Sequence, residues 1–191
     1  MTVRIGNMAR ALPENSVVVL GDSIVARWPK PQLAGVLGDP IVVLANGGDR
    51  IENTNWTLTQ VDQSKARTVR RVVSEVGTAN LTDTGCEFVA RTRAYFQNLR
   101  RVFSNAKIYA LNIYQKGLGG RARVEQVRAA NEAIRSAAAD NNIAYVDIHD
   151  PLENKCVGQE SCALLEANRV HPSQAGYDLF TAVLQDAMRR R

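Results

Sequence analysis

Five short apolar runs, each rich in β-branched residues, recur along the chain and predict the strands of a sheet. They cover residues 16–20, 41–45, 69–76, 107–113 and 143–148. The runs are continuously apolar instead of alternating with polar residues, which is typical of strands covered on both faces in a parallel sheet. We therefore expect five parallel strands buried between layers of helices.

Apolar residues spaced three and four positions apart predict helices between and after the later runs. One such face extends from Phe88 to Phe103, and a second extends from Val124 to Ala138. A further helix is expected after Pro172, because proline is favoured in the first turn of a helix. Strands that alternate with helices predict an α/β fold, a three-layer α/β/α sandwich with a five-stranded parallel sheet. No repeat or linker divides the chain, so residues 1–191 are expected to form a single domain.

Composition and charge narrow the range of partners. The chain has 191 residues, of which 45% are hydrophobic and 23% charged, as in an ordinary globular protein. Its apolar runs fall far short of the ~20 residues that cross a bilayer, so no transmembrane segment is expected, and the opening residues show no signal peptide. The net charge is +5, but the basic residues are scattered, apart from the arginines at 189–191. We therefore expect no nucleic-acid partner.

The chain contains three cysteines, Cys86, Cys156 and Cys162, which are too few for a four-cysteine zinc site. No metal and no cofactor are expected. Cys86 falls within a predicted helix, and we expect it to be buried as a small hydrophobic residue. Cys156 and Cys162 flank a short polar segment. They either close a small loop as a disulfide, which implies an oxidising compartment, or remain two free thiols.

Polar and glycine-rich segments follow three of the predicted strands, where open parallel sheets bind their ligands. Gly-Asp-Ser-Ile occupies 21–24, Asn-Gly-Gly-Asp occupies 46–49, and Gly-Thr-Ala-Asn occupies 77–80. The chain has two histidines, His149 after the fifth run and His171 before the final helix. A serine, a histidine and backbone donors are therefore expected to meet at one edge of the sheet.

Four sequence blocks, in this order, resemble the SGNH or GDSL-type hydrolases over nearly the whole chain. The blocks are Gly21-Asp22-Ser23, the segment around Gly48, the segment 77–80, and His171-Pro172-Ser173 with Gly176-Tyr177. The second block continues through Asn53, Trp56 and Leu58 at the spacing of the platelet-activating factor acetylhydrolase-like branch. The resemblance implies a flavodoxin-like SGNH hydrolase fold.

The resemblance also implies a chemistry. Ser23 would attack an ester carbonyl to form an acyl-enzyme, and His171 would take and later return the proton. The backbone N–H groups of Ser23 and Gly48, with a side-chain amide from the third block, would hold the oxyanion. The substrate would be a small-molecule, carbohydrate or lipid ester, and the acetylhydrolase-like branch favours a short acyl group such as acetyl.

This sequence departs from the family pattern at two positions. Asn168 stands where the family has an aspartate, three residues before the histidine, and an amide can orient the ring only if its oxygen faces it. In the third block, Ala79 occupies the place of the oxyanion asparagine, and Asn80 lies one residue further on. We hypothesise that a small shift of the backbone brings the Asn80 amide into the oxyanion hole.

These departures leave three interpretations. The first is a slow or specialised esterase, in which Ser23 and His171 are helped by Asn168, by a backbone carbonyl or by a displaced acid such as Glu166. The second is a catalytically impaired pseudoenzyme that uses the scaffold as a binding or interaction module. The third, a flavin or nucleotide binder, is disfavoured because the Gly-x-Gly-x-x-Gly pattern is missing. Retention of both Ser23 and His171 favours the esterase. The oligomeric state is left open.

Overall fold

The five apolar runs form the five strands of one parallel sheet. In our computed structural model, which describes residues 2–38, 40–83, 85–114, 120–156 and 161–190, the sheet has the order β2-β1-β3-β4-β5. The strands are β1 Val17–Gly21, β2 Ile41–Ala45, β3 Arg71–Glu75, β4 Lys107–Leu111 and β5 Ala144–Val146. This order is that of flavodoxin-like sheets, and it confirms the predicted fold class.

Helices connect the strands and cover both faces of the sheet. Within the described residues they are α1 Thr2–Arg10, α2 Ser23–Ala26, α3 Lys30–Leu37, α4 Ile51–Thr59, α5 Gln63–Ala66, α6 Gly85–Val102, α7 Gly120–Asp140, α8 His149–Cys156 and α9 Gln174–Arg189. A 3₁₀ turn, Thr78–Asn80, follows β3. None of the described helices is long and apolar enough to cross a membrane.

Two hydrophobic cores lie on opposite faces of the sheet, because successive side chains of a strand point to opposite sides. In β1, Val18 and Leu20 pack with α1, α4, α5, α6 and α7, whereas Val17 and Val19 pack with α2, α3, α8 and α9. Each fully buried aliphatic side chain contributes about 1.5–3 kcal/mol of transfer free energy. The result is the three-layer α/β/α sandwich that the sequence predicts.

The strand order places a switch point at the carboxyl end of β1, because β2 lies on one side of it and β3 on the other. The ends of β1 and β3 approach each other closely at Gly21. A Cβ atom at Gly21 would lie 2.0 Å from the carbonyl oxygen of Glu75, and φ is +152° there. Only glycine fits this position, and the chain turns from it directly into Asp22 and Ser23.

The three cysteines divide into a bonded pair and a free thiol. Cys156 and Cys162 form a disulfide with their Cα atoms 5.3 Å apart, which ties the end of α8 to the segment that leads to α9. Cys86 is exposed, so the expectation that it is buried is wrong. It lies in the first turn of α6, where Phe88, two residues later, takes the position that faces the core.

Candidate active site

Ser23 stands at the tip of the turn between β1 and α2. Asp22 caps the short helix, since its Oδ1 accepts the Ile24 backbone N–H at 2.8 Å. Ser23 is the first residue of α2, so its own backbone N–H has no partner within the helix. Its side chain is half-buried at the edge of the sheet where the resemblance predicts the nucleophile.

His171 meets Ser23 directly, with its Nε2 3.0 Å from the serine Oγ. The ring is carried by a paired segment, in which Leu165 forms an antiparallel bridge with Pro172. The Glu166 N–H donates to the carbonyl of His171 at 2.8 Å, and the Ser173 N–H donates to the carbonyl of Leu164 at 2.9 Å. The structure therefore brings the predicted serine and histidine into contact. The turn after β1 carries the serine, and the paired segment before α9 carries the histidine.

Helix α9 is joined to the nucleophile turn by two buried or half-buried hydrogen bonds. The Tyr177 hydroxyl donates to the Ile24 carbonyl at 2.9 Å, and the Trp28 Nε1–H donates to the Thr181 hydroxyl at 3.1 Å. The Trp28 ring is buried against the rings of Tyr177 and Phe180. These contacts fix the element that carries His171 against the element that carries Ser23.

The side chain of Asn168 presents its nitrogen, not its oxygen, to the histidine ring. Its Oδ1 accepts the backbone N–H groups of Val170 at 2.8 Å and His171 at 3.0 Å. Its Nδ2 consequently lies 3.1 Å from Nδ1 of His171 and 3.0 Å from Oε2 of Glu166. An amide N–H that donates to Nδ1 places the proton of the neutral ring on Nε2.

Glu166 and Arg27 are the charged groups nearest this ring in the described chain. Glu166 Oε2 lies 3.9 Å from Nδ1 of His171 and 3.0 Å from Nη1 of Arg27. Partial burial lowers the pKa of His171 below 6.5, the positive charge of Arg27 lowers it further, and the negative charge of Glu166 opposes both. His171 is therefore neutral near pH 7, as a general base must be.

The loop after β2 lies beside the nucleophile. A Cβ atom added to Gly47 would be 3.9 Å from the Cβ of Ser23, and Gly48 adopts a left-handed φ of +76°. Asn46 donates from Nδ2 to Asp49 at 3.1 Å, which closes the loop. This arrangement places the loop that contains Gly48 beside Ser23.

Asn80 is fully buried and fixes the start of α4. Its Oδ1 accepts the Ile51 N–H at 2.8 Å, and its Nδ2 donates to Glu52 at 3.0 Å and to Asp83 at 2.8 Å. Both of its amide protons are thus directed at carboxylates. The preceding residue, Ala79, accepts a hydrogen bond from Arg50 through its carbonyl oxygen at 3.0 Å and has no polar side chain.

A pair of buried carboxyl groups lies directly behind the nucleophile turn, and the sequence analysis missed it. Asp22 and Glu75 share a hydrogen bond, and burial raises the pKa of Asp22 to about 6 and that of Glu75 well above 4.5. Oδ2 of Asp22 and Oε2 of Glu75 are buried, and no other donor in the described chain faces them. The signal that could have found the pair is an acidic residue, Glu75, inside an apolar run.

A cavity of about 360 Å³ opens beside the loop after β2. It is lined by Ile5, Asn46, Asp49, Glu52, Asn53, Trp56 and Thr57. The Trp56 indole is 40% exposed, although large aromatic side chains are mostly buried. An exposed aromatic ring surrounded by amide and carboxylate groups is suited to a polar ligand with one apolar face.

His149 takes no part in this arrangement. Its Nδ1 contacts the Asp150 carboxylate at 2.9 Å, and its backbone N–H donates to Asn112. The histidine that faces the serine is therefore His171. Among the residues that the structure describes, no three His, Cys, Asp or Glu side chains are grouped so that they could hold a metal ion.

Comparison with known proteins agrees with this geometry. Residues 19–179 match the GDSL-like Lipase/Acylhydrolase family. No curated protein sequence matches. The fold is similar to a Streptococcus pneumonia protein named for platelet activating factor, with a TM-score of 0.77 and 19% identity over 97% of this chain and 89% of that one. It is also similar to a GDSL-like lipase from Bacteroides thetaiotaomicron, with a TM-score of 0.76 and 17% identity over 99% and 97%.

A third similar structure is a variant of an acetyl-xylooligosaccharide esterase from Geobacillus Stearmophilus. Its TM-score is 0.70, and the identity is 15% over 94% of this chain and 96% of that one. At such identities the solved structures establish the fold, whereas the family match rests on the sequence itself. The match begins within β1, two residues after Val17, and ends within α9.

Proposed function

This chain belongs to the GDSL-like lipase/acylhydrolase family, which comprises carboxylic ester hydrolases, and we propose that it is a serine esterase with Ser23 as nucleophile and His171 as general base. The observation that carries the proposal is the 3.0 Å contact between His171 Nε2 and Ser23 Oγ. A hydroxyl becomes an effective nucleophile when an adjacent base takes its proton, and this requires a separation of about 2.6–3.2 Å.

In the proposed reaction, Ser23 Oγ forms a bond to the ester carbonyl carbon while its proton passes to Nε2 of His171. The carbonyl oxygen becomes an oxyanion beside the backbone N–H groups of Ser23 and Gly48. Each donor of this kind typically contributes ~10²–10³ in rate. The alcohol leaves with the proton from Nε2, and the acyl group stays on Ser23. A water molecule then repeats both steps and releases the acid.

For the substrate, we infer an ester of a short acyl group, such as acetyl, with a carbohydrate or other polar alcohol. The similarity to an esterase of acetylated xylo-oligosaccharides supports this inference, although that likeness concerns the fold. The cavity that Asn46, Asp49 and Trp56 line opens beside the loop after β2 and would hold the alcohol part. A sugar ring has an apolar face for the indole and hydroxyl groups for the acidic and amide side chains.

We also infer that the protein works in an oxidising compartment, because Cys156 and Cys162 are joined. Disulfides are rare where thiols are kept reduced, as in the cytosol of most cells. The disulfide lies next to the segment that carries His171. Its reduction would therefore displace His171 and leave the position of Ser23 unchanged.

The alternative is a binding module that retains the scaffold without efficient catalysis. The observation that favours it is the orientation of Asn168, whose amide donates to Nδ1 and leaves the ring without an acid partner in direct contact. Under this alternative, the cavity beside the loop after β2 would bind its ligand and release it unchanged.

Hydrolysis of p-nitrophenyl esters from acetyl to longer acyl groups, with an acetylated xylo-oligosaccharide as a further substrate, tests the proposal. Ser23→Ala is expected to abolish turnover, whereas Ser136→Ala, an exposed serine on α7, is expected to leave it unchanged. Asn168→Asp is expected to raise kcat at least tenfold, because the opposite exchange in a serine protease costs about 10⁴. Turnover that survives Ser23→Ala would contradict the assignment of Ser23 as nucleophile, and no turnover in the wild type or in Asn168→Asp would favour the binding module.

A further inference from the structure

The geometry around His171 points to a second residue that acts on the ring. We propose that Glu166 is the positioning residue of this site, that its carboxylate accepts the Nδ1–H of His171, and that Arg27 controls where the carboxylate rests. The inference rests on the proposed serine esterase function. It assigns to a residue five positions before the histidine the role that the family gives to a residue three positions before it.

The reasoning starts from the proton on the ring. Nε2 can take the serine proton only if it carries a lone pair, which requires the ring proton to be on Nδ1. Asn168 favours the opposite form, because its amide N–H donates to Nδ1. Turning the amide round would leave the backbone N–H groups of Val170 and His171 without their acceptor.

Glu166 is placed to supply the missing acceptor. Its Oε2 is 3.9 Å from Nδ1, so a movement of about 1 Å produces a charge-assisted hydrogen bond. Its backbone is already fixed opposite the histidine, since its N–H donates to the His171 carbonyl. Only rotation of the side chain is therefore needed. The carboxylate is 42% exposed, so neighbouring packing does not prevent this rotation.

Arg27 holds the same carboxylate oxygen on the other side. Its Nη1 is 3.0 Å from Oε2 of Glu166, and Arg27 directly follows α2, four residues after Ser23. In the neutral state, Glu166 is shared between Arg27 and the Asn168 amide. When the ring receives the serine proton on Nε2, it becomes an imidazolium whose Nδ1–H attracts the carboxylate. That proton stays on the ring, and the Nε2 proton leaves with the alcohol.

The first test is independent of turnover. Nuclear magnetic resonance titration of the imidazole resonances gives the pKa of His171, and His149→Gln assigns the signals because the chain has two histidines. Glu166→Gln is expected to lower the pKa of His171, and Arg27→Gln is expected to raise it. In addition, ¹⁵N shifts of the neutral ring are expected to report more Nε2–H form in Glu166→Gln. An unchanged titration and tautomer in Glu166→Gln would overturn the proposal.

The second test uses the pH dependence of p-nitrophenyl acetate hydrolysis. Glu166→Gln is expected to lower kcat about tenfold or more with little change in KM, and to move the acid limb of kcat/KM to lower pH. The double variant Glu166→Gln with Asn168→Asp is expected to recover activity, because a carboxylate then stands at the position usual in the family. Glu125→Gln on α7, whose partner is Arg128, is the matched control and is expected to behave as wild type.

The two tests separate this inference from the function on which it rests. If turnover requires Ser23 but Glu166→Gln has wild-type kcat and pH profile, Glu166 has no positioning role and the esterase assignment stands. If no variant hydrolyses any ester, the serine esterase proposal fails, and the titration still decides whether Glu166 acts on the ring of His171.

Discussion

In the proposed reaction, Ala79 would limit how strongly the site can stabilise a developing oxyanion. It occupies the place where the resemblance predicts the oxyanion asparagine, and its methyl group cannot donate a hydrogen bond. The neighbouring Asn80 amide is directed at Glu52 and Asp83, so it holds the turn after β3 against α4. In this conformation, the backbone N–H groups of Ser23 and Gly48 remain as the expected donors.

Ala79→Asn is expected to raise kcat for p-nitrophenyl acetate by about 10- to 100-fold, because it adds a side-chain donor where the family has one. Ala79→Leu introduces a larger side chain that is branched like asparagine but has no donor, and it is expected to leave kcat unchanged or lower. Steady-state kinetics of both variants at one pH shows whether a side-chain donor at position 79 raises kcat. Equal activities of the two variants would indicate that Asn80, after a shift of the loop, already supplies the donor.

The element that presents His171 is the paired segment 164–173 with the first turn of α9. Ser173 caps the helix, since its hydroxyl accepts the Gly176 N–H at 3.3 Å. Gly176 lies against the same segment, and a Cβ atom there would be 2.2 Å from the Leu164 carbonyl oxygen and 2.8 Å from the Pro172 ring. The close approach of helix and segment therefore depends on glycine at this position.

Gly176→Ala is expected to force the paired segment away from α9, since a backbone oxygen cannot yield as a flexible side chain can. We expect a loss of stability of about 1–3 kcal/mol and a loss of esterase activity larger than the unfolded fraction explains. Thermal unfolding and kcat on the same samples provide the comparison. Gly35→Ala on α3, where a Cβ meets open space, is the control and is expected to stabilise slightly. Wild-type activity in Gly176→Ala would contradict this account of the segment.

For the molecule as a whole, the buried pair of Asp22 and Glu75 links folding to pH. These side chains join the ends of the neighbouring strands β1 and β3, and at most one of them can be ionised without a large desolvation cost. Burial raises the pKa of both groups above their unfolded values. At pH values between the unfolded-state and folded-state pKa values, the folded protein therefore binds more protons than the unfolded protein.

The contribution of this pair to the free energy of unfolding is consequently expected to be most favourable near and below pH 4. It is expected to fall as the pH rises through about 6. The rise of the Asp22 pKa from 3.8 to about 6 corresponds to about 3 kcal/mol. The double variant Asp22→Asn with Glu75→Gln is expected to flatten this part of the profile, because neither amide has a carboxyl proton to lose. Urea unfolding at several pH values measures the slope, with Glu125→Gln as the surface control. A slope that persists in this double variant would assign the effect to other groups.

The fold could be predicted largely from the sequence because burial on both faces leaves a strong apolar signal in each strand. All five strands lie within two residues of the predicted runs at their amino ends, and α6, α7 and α9 follow the predicted periodicity. Helix α1 was not predicted, since its buried residues, Ile5 and Ala9, are too few to mark a helical face.

The site could be predicted only in part. The contact between Ser23 and His171 could be predicted because glycine, proline and order along the chain surround both residues with a recognisable pattern. The orientation of the Asn168 amide depends on two backbone donors that exist only once the segment 164–173 is folded. Likewise, the contact between Asp22 and Glu75 requires the register of β1 against β3, which pairs Gly21 with Glu75 and is invisible in either run alone.

Ser23 and His171 are separated by 148 positions in the sequence. During synthesis, the serine therefore leaves the ribosome long before the histidine that would activate it under the proposed mechanism. Chains in which α9 has not yet docked would then carry an ordinary hydroxyl and would not hydrolyse esters. In a refolding experiment, the return of ester hydrolysis would lag behind the return of helical structure. The recovered activity would then measure the fraction of chains in which α9 has docked.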